Sequence, residues 1–196
     1  MSKSIEFYFD FGSPTAYLAY KQLNKLAQKY DSTIEYKGIL LGGVFKATDN
    51  ASPITIPAKG QYMVIHDLPR FTKRYDIELK FNPHFPINTL PLMRGYYAAL
   101  ELGVAEAYVE KIYDGMWIEE INFSDPTELE TAIKSLGVDV ARFNDLISSD
   151  AIKNQLKATT EEAVTRGAFG APTMYIGDEM FFGQDRLDFV EERLAE

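Results

Sequence analysis

The sequence predicts an α/β protein in which segments from both ends of the chain form one sheet and an all-helical insertion lies between them. Strand-like and helix-like patterns alternate near the beginning of the chain and again near its end, whereas the residues between show mostly helical periodicity. With 196 residues and 46% hydrophobic composition, the chain can bury one substantial core. No repeat, low-complexity run or linker divides it, so we expect one structural unit with an insertion.

The first predicted unit is a strand, a helix and a second strand. Ile5–Phe11 becomes almost continuously apolar toward its end, which is typical of a buried strand. After Pro14, apolar side chains recur at helical spacing as far as Tyr30. Thr33–Leu40 is predicted as the second strand. Three elements of these lengths indicate a right-handed parallel crossover.

The middle of the chain is predicted to be a long loop followed by helices. Leu41–Pro57 has no clear period and contains two adjacent glycines and two prolines, so we predict an ordered loop there. Pro69 lies inside the next amphipathic stretch and predicts either a break in that helix or a new helix that starts there. The predicted helices are Gln61–Tyr75, Leu90–Leu102, Ala105–Glu119, Pro126–Leu136, one that begins at Asp139, and Ala151–Arg166, with a loop over Asn82–Pro86.

The end of the chain returns to strands. A turn rich in glycine and proline precedes a strand that ends at Ile176, Gly177 and Asp178 form a tight hairpin, and Glu179–Phe182 is the return strand before a closing helix that reaches Leu194. The complete order, β-α-β at the front and β-β-α at the back, is that of a thioredoxin-like fold with a helical insertion. We assign residues 1–45 and 167–196 to a thioredoxin-like domain and residues 46–166 to a connecting loop and helical insertion.

Composition excludes several classes of function. The net charge of −9 argues against a nucleic-acid or anionic-membrane partner. The absence of cysteine excludes disulfides, thiolate metal sites and a nucleophilic protein thiol. His66 and His84 are isolated from each other, so we expect no metal site. No targeting pattern or apolar stretch of transmembrane length is present, and we expect a cytoplasmic protein.

Ser13 is the most informative position in the chain. It stands in a Gly-Ser-Pro turn between the first strand and the first helix, where the helix amides point outward. A cysteine at such a position has a lowered pKa and is often reactive. Here the side chain is a hydroxyl, so any sulfur chemistry must use the sulfur of a bound cosubstrate. The alternative is that Ser13 simply caps the helix before Pro14.

Four separated motifs resemble one family closely. The chain is similar, over nearly its whole length, to the 2-hydroxychromene-2-carboxylate isomerases and the kappa-class glutathione transferases, which are related in fold to periplasmic thiol-disulfide oxidoreductases. The motifs are Ser13-Pro14-x-x-Tyr17, Asn50-x-x-Pro53…Pro57-x-Lys59-Gly60-x-Tyr62, Phe85-Pro86-x-Asn88-Thr89, and Phe169-Gly170-Ala171-Pro172-Thr173…Phe182-Gly183-x-Asp185-Arg186.

The resemblance implies glutathione as the cosubstrate and a homodimeric enzyme. It places Ser13 against the glutathione sulfur. It also implies that Pro14 of the same turn contributes to the glutathione-binding site. Asn50 and Lys59 match the loop that holds the tripeptide. The remaining matches are Ala171 and Pro172, whose backbone meets the cysteinyl part, and Gln184 and Asp185, which meet the γ-glutamyl end.

The second substrate is expected to lie beside this glutathione site. Phe85 and Asn88 are candidates for its pocket, although Asn88 could equally cap the following helix. Tyr17 follows one turn into the first helix and belongs either to the core or to the pocket wall. We also predict a cis Ala171-Pro172 bond, because a cis proline faces the active turn in thioredoxin-like folds.

The function implied by the resemblance is glutathione-dependent isomerisation in aromatic catabolism. The glutathione thiolate would add to an unsaturated aromatic acid and be eliminated after bond rotation, which is covalent catalysis with a borrowed nucleophile. Two alternatives remain open. The Asn50–Tyr62 loop is more like the kappa-class version, which favours a transferase or peroxidase, and a fold that has lost its cysteine could be a non-catalytic binding module.

Overall fold

The computed structural model describes residues 3–196 and contains one four-stranded mixed sheet. The strands are β1 (Ser4–Phe9), β2 (Thr33–Gly38), β3 (Thr173–Ile176) and β4 (Glu179–Phe182), in the spatial order β2-β1-β3-β4. β1 runs parallel to β2 and antiparallel to β3, and β3 is antiparallel to β4. The two ends of the chain therefore meet at β1 and β3, as predicted, and the α/β fold class is confirmed.

The helices cover both faces of this sheet and form the insertion. Short 3₁₀ turns occur at Pro53–Thr55 and Gln184–Arg186. The helices are α1 (Pro14–Lys29), α2 (Leu41–Thr48), α3 (Pro57–Tyr62), α4 (Leu68–Tyr75), α5 (Leu90–Glu101), α6 (Ala105–Trp117), α7 (Pro126–Ser135), α8 (Val140–Ser148), α9 (Asp150–Thr165) and α10 (Leu187–Ala195), with a π-helical segment over Met63–Asp67.

The predicted loop at Leu41–Pro57 is wrong in its first half, where α2 forms. Two glycines at its start hide this helix from pattern analysis because glycine disfavours helix interiors. Tertiary contacts hold it instead. The backbone N–H of Leu40 donates to Thr160 Oγ1 at 3.0 Å, and that of Leu41 donates to Asp10 Oδ2 at 2.8 Å.

At Pro69 the structure follows the second predicted alternative, because a new α-helix, α4, begins at Leu68. Helical structure continues from Pro57 to Tyr75 through the π-helical segment, and Pro69 stands in the first turn of α4. At the start of a helix the missing N–H of proline costs little, because that group would have no intrahelical partner there. The π-helical segment accommodates the change of hydrogen-bond pattern before it.

Aromatic side chains at the end of β1 and just beyond it pack in the core against α6. Phe9 and Phe11 lie edge-to-face at 5.3 Å, and Phe11 contacts Tyr113 of α6 at 4.9 Å between ring centroids. Trp117 is fully buried, and its Nε1–H donates to the carbonyl of Phe11 at 2.9 Å. These contacts fix the end of β1, from which the Gly-Ser-Pro turn departs.

The division into domains stays a prediction. Its first boundary, at residue 45, falls inside α2, and β1 pairs directly with β3 across the insertion. Among residues 3–196, no helix has both the length and the apolar character needed to cross a bilayer.

Candidate functional site

Ser13 caps α1, as one reading of the sequence expected. Its backbone is extended, with φ −103° and ψ 110°, and its Oγ accepts a hydrogen bond from the N–H of Ala16 at 3.1 Å. Pro14 occupies the first turn, where no intrahelical N–H bond is lost. The capping role leaves the Ser13 hydroxyl at the positive end of the α1 dipole, where negative charge is stabilised.

The hydroxyl of Ser13 faces the turn that leads into β3. Its Oγ lies 3.1 Å from the Ala171 carbonyl oxygen and 3.0 Å from Thr15 Oγ1. Thr15 Oγ1 is itself 3.4 Å from the same carbonyl. The Ala171-Pro172 bond is cis, which confirms the prediction. Two hydroxyls and one carbonyl therefore meet where α1 begins, although the sequence pointed only to Ser13.

Asp10 holds this turn in place through hydrogen bonds, and the sequence analysis did not identify it. Its carboxylate accepts from the N–H groups of Gly12 at 2.9 Å and Leu41 at 2.8 Å, so one buried side chain ties the Ser13 turn to α2. Burial raises the pKa of Asp10 above its usual range, and the hydrogen bonds from Leu41, Gly12 and Thr89 act in the opposite direction. The available signal was a lone acid within the apolar run Phe9-Asp10-Phe11.

A cavity of about 680 Å³ opens in front of Ser13, and we call it the Ser13 cavity. Aromatic side chains supply much of its apolar wall, among them Phe45 of α2 and Phe85. Its lining contains nine of the eleven residues that the sequence predicted, which are Ser13, Pro14, Asn50, Lys59, Phe85, Ala171, Pro172, Gln184 and Asp185. Residues far apart in the chain thus converge on one cavity of ligand size.

Tyr17 and Asn88 lie outside this lining. Tyr17 is fully buried, and its hydroxyl donates to the carbonyl of Glu78 at 2.9 Å, so it belongs to the core. Asn88 is exposed, and its Oδ1 accepts from the N–H of Leu90 at 3.1 Å, at the start of α5. Tyr17 thus follows the core alternative that the sequence left open, whereas Asn88 bonds to the first turn of α5 without being its N-cap, which is Thr89.

One end of the Ser13 cavity carries carboxylates. Asp185 lines the wall and forms an exposed ion pair with Arg186 at 2.9 Å. Gln184 is buried, and its Nε2 donates to Oδ2 of Asp67, a second carboxylate in the lining, at 3.3 Å. Asp67 was not predicted, and it comes from the end of the π-helical segment. This end is suited to a cationic group of a ligand.

Asn50 and Lys59 line the cavity from the segment that follows α2. The Asn50 Nδ2 donates to the carbonyl of Phe169 at 2.9 Å, which ties this segment to the turn before β3. Lys59 is exposed in α3 and places an ammonium group on the wall. The cavity therefore offers cationic and anionic groups as well as the dipole end of α1. Within residues 3–196, no group of three or more His, Asp or Glu side chains is arranged to hold a metal ion.

Comparison with known proteins shows the family to which the chain belongs. Residues 4–195 match the family described as the DSBA-like thioredoxin domain, and the chain belongs to this family. The predicted thioredoxin-like fold is thereby confirmed.

Particular relatives narrow the class further. The 2-hydroxychromene-2-carboxylate isomerase of Pseudomonas sp. (strain C18) is 37% identical over 194 residues, covering 97% of this chain and 90% of that protein. A solved 2-hydroxychromene-2-carboxylate isomerase superposes with a TM-score of 0.89 at 35% identity, covering 98% and 94% of the two chains. Human glutathione S-transferase kappa 1 is 26% identical over 214 residues, covering 100% and 92%. The resemblance stated from the motifs is confirmed, and the chain is an enzyme.

Proposed function

We propose that this enzyme is a glutathione-dependent isomerase of the 2-hydroxychromene-2-carboxylate type. The observation that carries the proposal is the hydroxyl of Ser13, which lies at the start of α1 and on the wall of a cavity of about 680 Å³. The identity of 37% to an isomerase, against 26% to a kappa-class transferase, favours the isomerase reaction.

The residues around the Ser13 cavity fit the chemistry of glutathione. The carboxylates of Asp67 and Asp185 suit the α-ammonium group of the γ-glutamyl end, and Lys59 suits a terminal carboxylate. Ser13 and the N-terminus of α1 suit the sulfur. Ala171 and Pro172 are proposed to contact the cysteinyl part, while Pro14 and Asn50 shape the site around it.

Ser13 is proposed to stabilise a thiolate rather than to act as a nucleophile. Bound glutathione supplies the thiolate that adds to an unsaturated acid and is later eliminated. An ordinary thiol has a pKa of about 8.5, so only a few per cent is ionised at neutral pH. A hydrogen bond from Ser13 and the field of α1 need to lower it by only one to two units, roughly 1.4 to 3 kcal/mol, to make the thiolate a major species.

Thr15 can take over the local hydrogen bonding when the Ser13 hydroxyl donates to the glutathione sulfur. Ser13 has one proton, and its Oγ lies within hydrogen-bond distance of both the Ala171 carbonyl and Thr15 Oγ1. When Ser13 donates to sulfur instead, Thr15 can donate to Ser13 or to the carbonyl that Ser13 leaves. The second hydroxyl therefore preserves the local hydrogen bonding while the first turns toward the ligand.

The acid substrate is proposed to lie against the aromatic wall. Phe85 faces the cavity, and planar side chains of this kind suit an aromatic ring. We also propose that the protein is a homodimer, as the family resemblance implies, and that it is cytoplasmic.

A kappa-class transferase or peroxidase reaction is the second candidate. It is favoured by the human relative and by the Asn50–Tyr62 loop, which resembles the kappa-class version more closely, and it would use the same thiolate site. A non-catalytic binding module is disfavoured, because such a module would not require so many ligand-binding groups around one cavity.

The proposal is tested by calorimetric titration with reduced glutathione, followed by the ultraviolet thiolate absorbance of the complex across pH. We expect binding and a thiol pKa below that of free glutathione. Product analysis with 2-hydroxychromene-2-carboxylate and with an aryl halide then separates isomerase from transferase. The proposal fails if glutathione does not bind, or if only the conjugated product forms.

A further inference from the structure

A second cleft of about 640 Å³ lies on the other side of α2 from the Ser13 cavity, and we call it the Arg94 cleft. It is bounded by α2, α5 and α9. Leu41 and Phe45 of α2 line the Ser13 cavity, whereas Gly43 and Ala47 of the same helix line the Arg94 cleft. One helix thus separates two concave sites, and no residue in the lining of the second takes part in the proposed reaction.

The Arg94 cleft has aliphatic walls. Its apolar surface comes from leucine, valine and alanine, and its lining contains no aromatic side chain, in contrast to the lining of the Ser13 cavity. Leu40, Leu90, Leu156 and Val164 supply most of this surface. Its volume is within the usual range for small-molecule sites. Such walls accommodate a flexible aliphatic chain without the flat stacking surfaces that select rings.

Arg94 gives the cleft its polar character. The side chain is half-buried and lines the cleft, while its Nε is closed off from solvent without a hydrogen-bond partner among residues 3–196, so a ligand in the cleft would meet the terminal amino groups of the guanidinium. Lys153 and Lys157 are also in the lining, but each is near a carboxylate, Asp150 at 3.2 Å and Glu161 at 3.7 Å. A planar guanidinium beside apolar walls is the arrangement that binds a carboxylate through two parallel hydrogen bonds. The lining contains three cationic side chains and one carboxylate, that of Glu161, so the cleft is locally positive in a chain with a net charge of −9.

We propose that the Arg94 cleft is a second binding site, specific for an aliphatic monocarboxylate. The carboxylate pairs with Arg94, assisted by the field of Lys153 and Lys157, and the hydrocarbon chain lies between α2 and α9 against Leu40 and Leu156. Each methylene group removed from water strengthens binding about fourfold, so affinity should rise with chain length until the cleft is full. The site is distinct from the glutathione site and does not depend on the proposed reaction.

The first test is calorimetry of the intact protein with octanoate and with octanamide, a neutral probe of nearly the same shape. We expect octanoate to bind once per chain and octanamide to bind at least tenfold more weakly. Arg94→Gln should weaken octanoate binding at least tenfold, about 1.4 kcal/mol. Arg142→Gln is the matched control, because Arg142 is exposed on α8 and outside the cleft, and it should leave the affinity unchanged.

A second variant keeps the proposal testable if Arg94→Gln does not fold. Ala47 is exposed on the opposite wall, so Ala47→Trp should fold and should obstruct the cleft. Octanoate binding should fall in this variant and should persist in the presence of saturating glutathione. The proposal is overturned if octanoate fails to bind, if octanamide binds equally well, or if glutathione displaces octanoate competitively. It is likewise overturned if Arg94→Gln and Ala47→Trp both retain full affinity, or if they change only the oligomeric state.

Discussion

Replacing Ser13 with alanine separates the structural role of its hydroxyl from its chemical role. The variant loses the oxygen that accepts the Ala16 N–H at 3.1 Å. Loss of a serine N-cap costs typically about 1 kcal/mol, with a range of about 0.5 to 2 kcal/mol. We therefore expect a folded protein whose free energy of unfolding is lower by roughly that amount.

We expect Ser13→Ala to change the activity more than the stability. The variant has no hydroxyl to donate to the bound sulfur, while the field of the α1 N-terminus remains. We expect the pKa of bound glutathione to rise by about one unit, equivalent to about 1.4 kcal/mol, and turnover at neutral pH to fall by up to about tenfold as the thiolate fraction drops. Thiolate absorbance across pH measures the first effect, and steady-state kinetics measures the second.

Ser149→Ala is the matched control. Ser149 caps α9 in the same way, with its side chain accepting from the N–H of Ile152 at 3.3 Å, and it does not line the Ser13 cavity. It should lose comparable stability in chemical denaturation while leaving the thiol pKa unchanged. Equal thiolate titrations for wild type and Ser13→Ala would refute the proposed role, and so would an equal pKa rise in Ser149→Ala.

Three further predictions concern the ligand site, an ion pair and a helix contact. Asp185→Ala should weaken glutathione binding tenfold or more, about 1.4 kcal/mol, and unchanged affinity by calorimetry would exclude that contact. Two hydrogen bonds from Arg166, at 2.7 and 3.0 Å, lower the pKa of Glu6. Glu6→Gln should therefore cost about 1 kcal/mol at pH 7 in urea unfolding, and this difference should be lost as the pH falls from the ordinary glutamate pKa of about 4.3 through the lower pKa of Glu6 in the folded protein. A constant difference down to pH 2 would contradict this. A methyl group at Gly95 would lie 2.9 Å from the ring of buried Phe143, so Gly95→Ala should destabilise by about 1 to 3 kcal/mol, whereas Gly42→Ala, which meets no atom within 4 Å, should not. Equal melting temperatures for these two variants would contradict the packing argument.

Local sequence patterns predicted the sheet and most helices because these elements follow apolar periodicity closely. β1 and α1 are examples, since their apolar side chains recur at strand and helix spacing and become buried. The helix α2 was not predictable in this way. Its glycines weaken its intrinsic propensity, and it is held by Asp10 and Thr160, which are remote in the chain.

The candidate site shows the same limit. Ser13 and Ala171 could be placed from the resemblance because they stand in compact motifs. Asp67 could not, because only the path of the π-helical segment brings it against Gln184. Asn88 belonged to a motif but is turned to solvent by its bond to the N–H of Leu90. Motifs identify which segments converge, whereas side-chain direction depends on the tertiary structure.

Trp117 gives the enzyme a natural fluorescent reporter. It is the sole tryptophan of the chain, so the intrinsic emission excited at the red edge comes from a single indole. That indole is sealed from solvent and bonded to the carbonyl just before the Gly-Ser-Pro turn. Its ring centroid also lies 5.8 Å from that of Phe85, which lines the Ser13 cavity. Ligand titrations and rapid-mixing experiments can therefore follow the reaction centre without a label, and tyrosine excitation provides an internal reference from the rest of the fold.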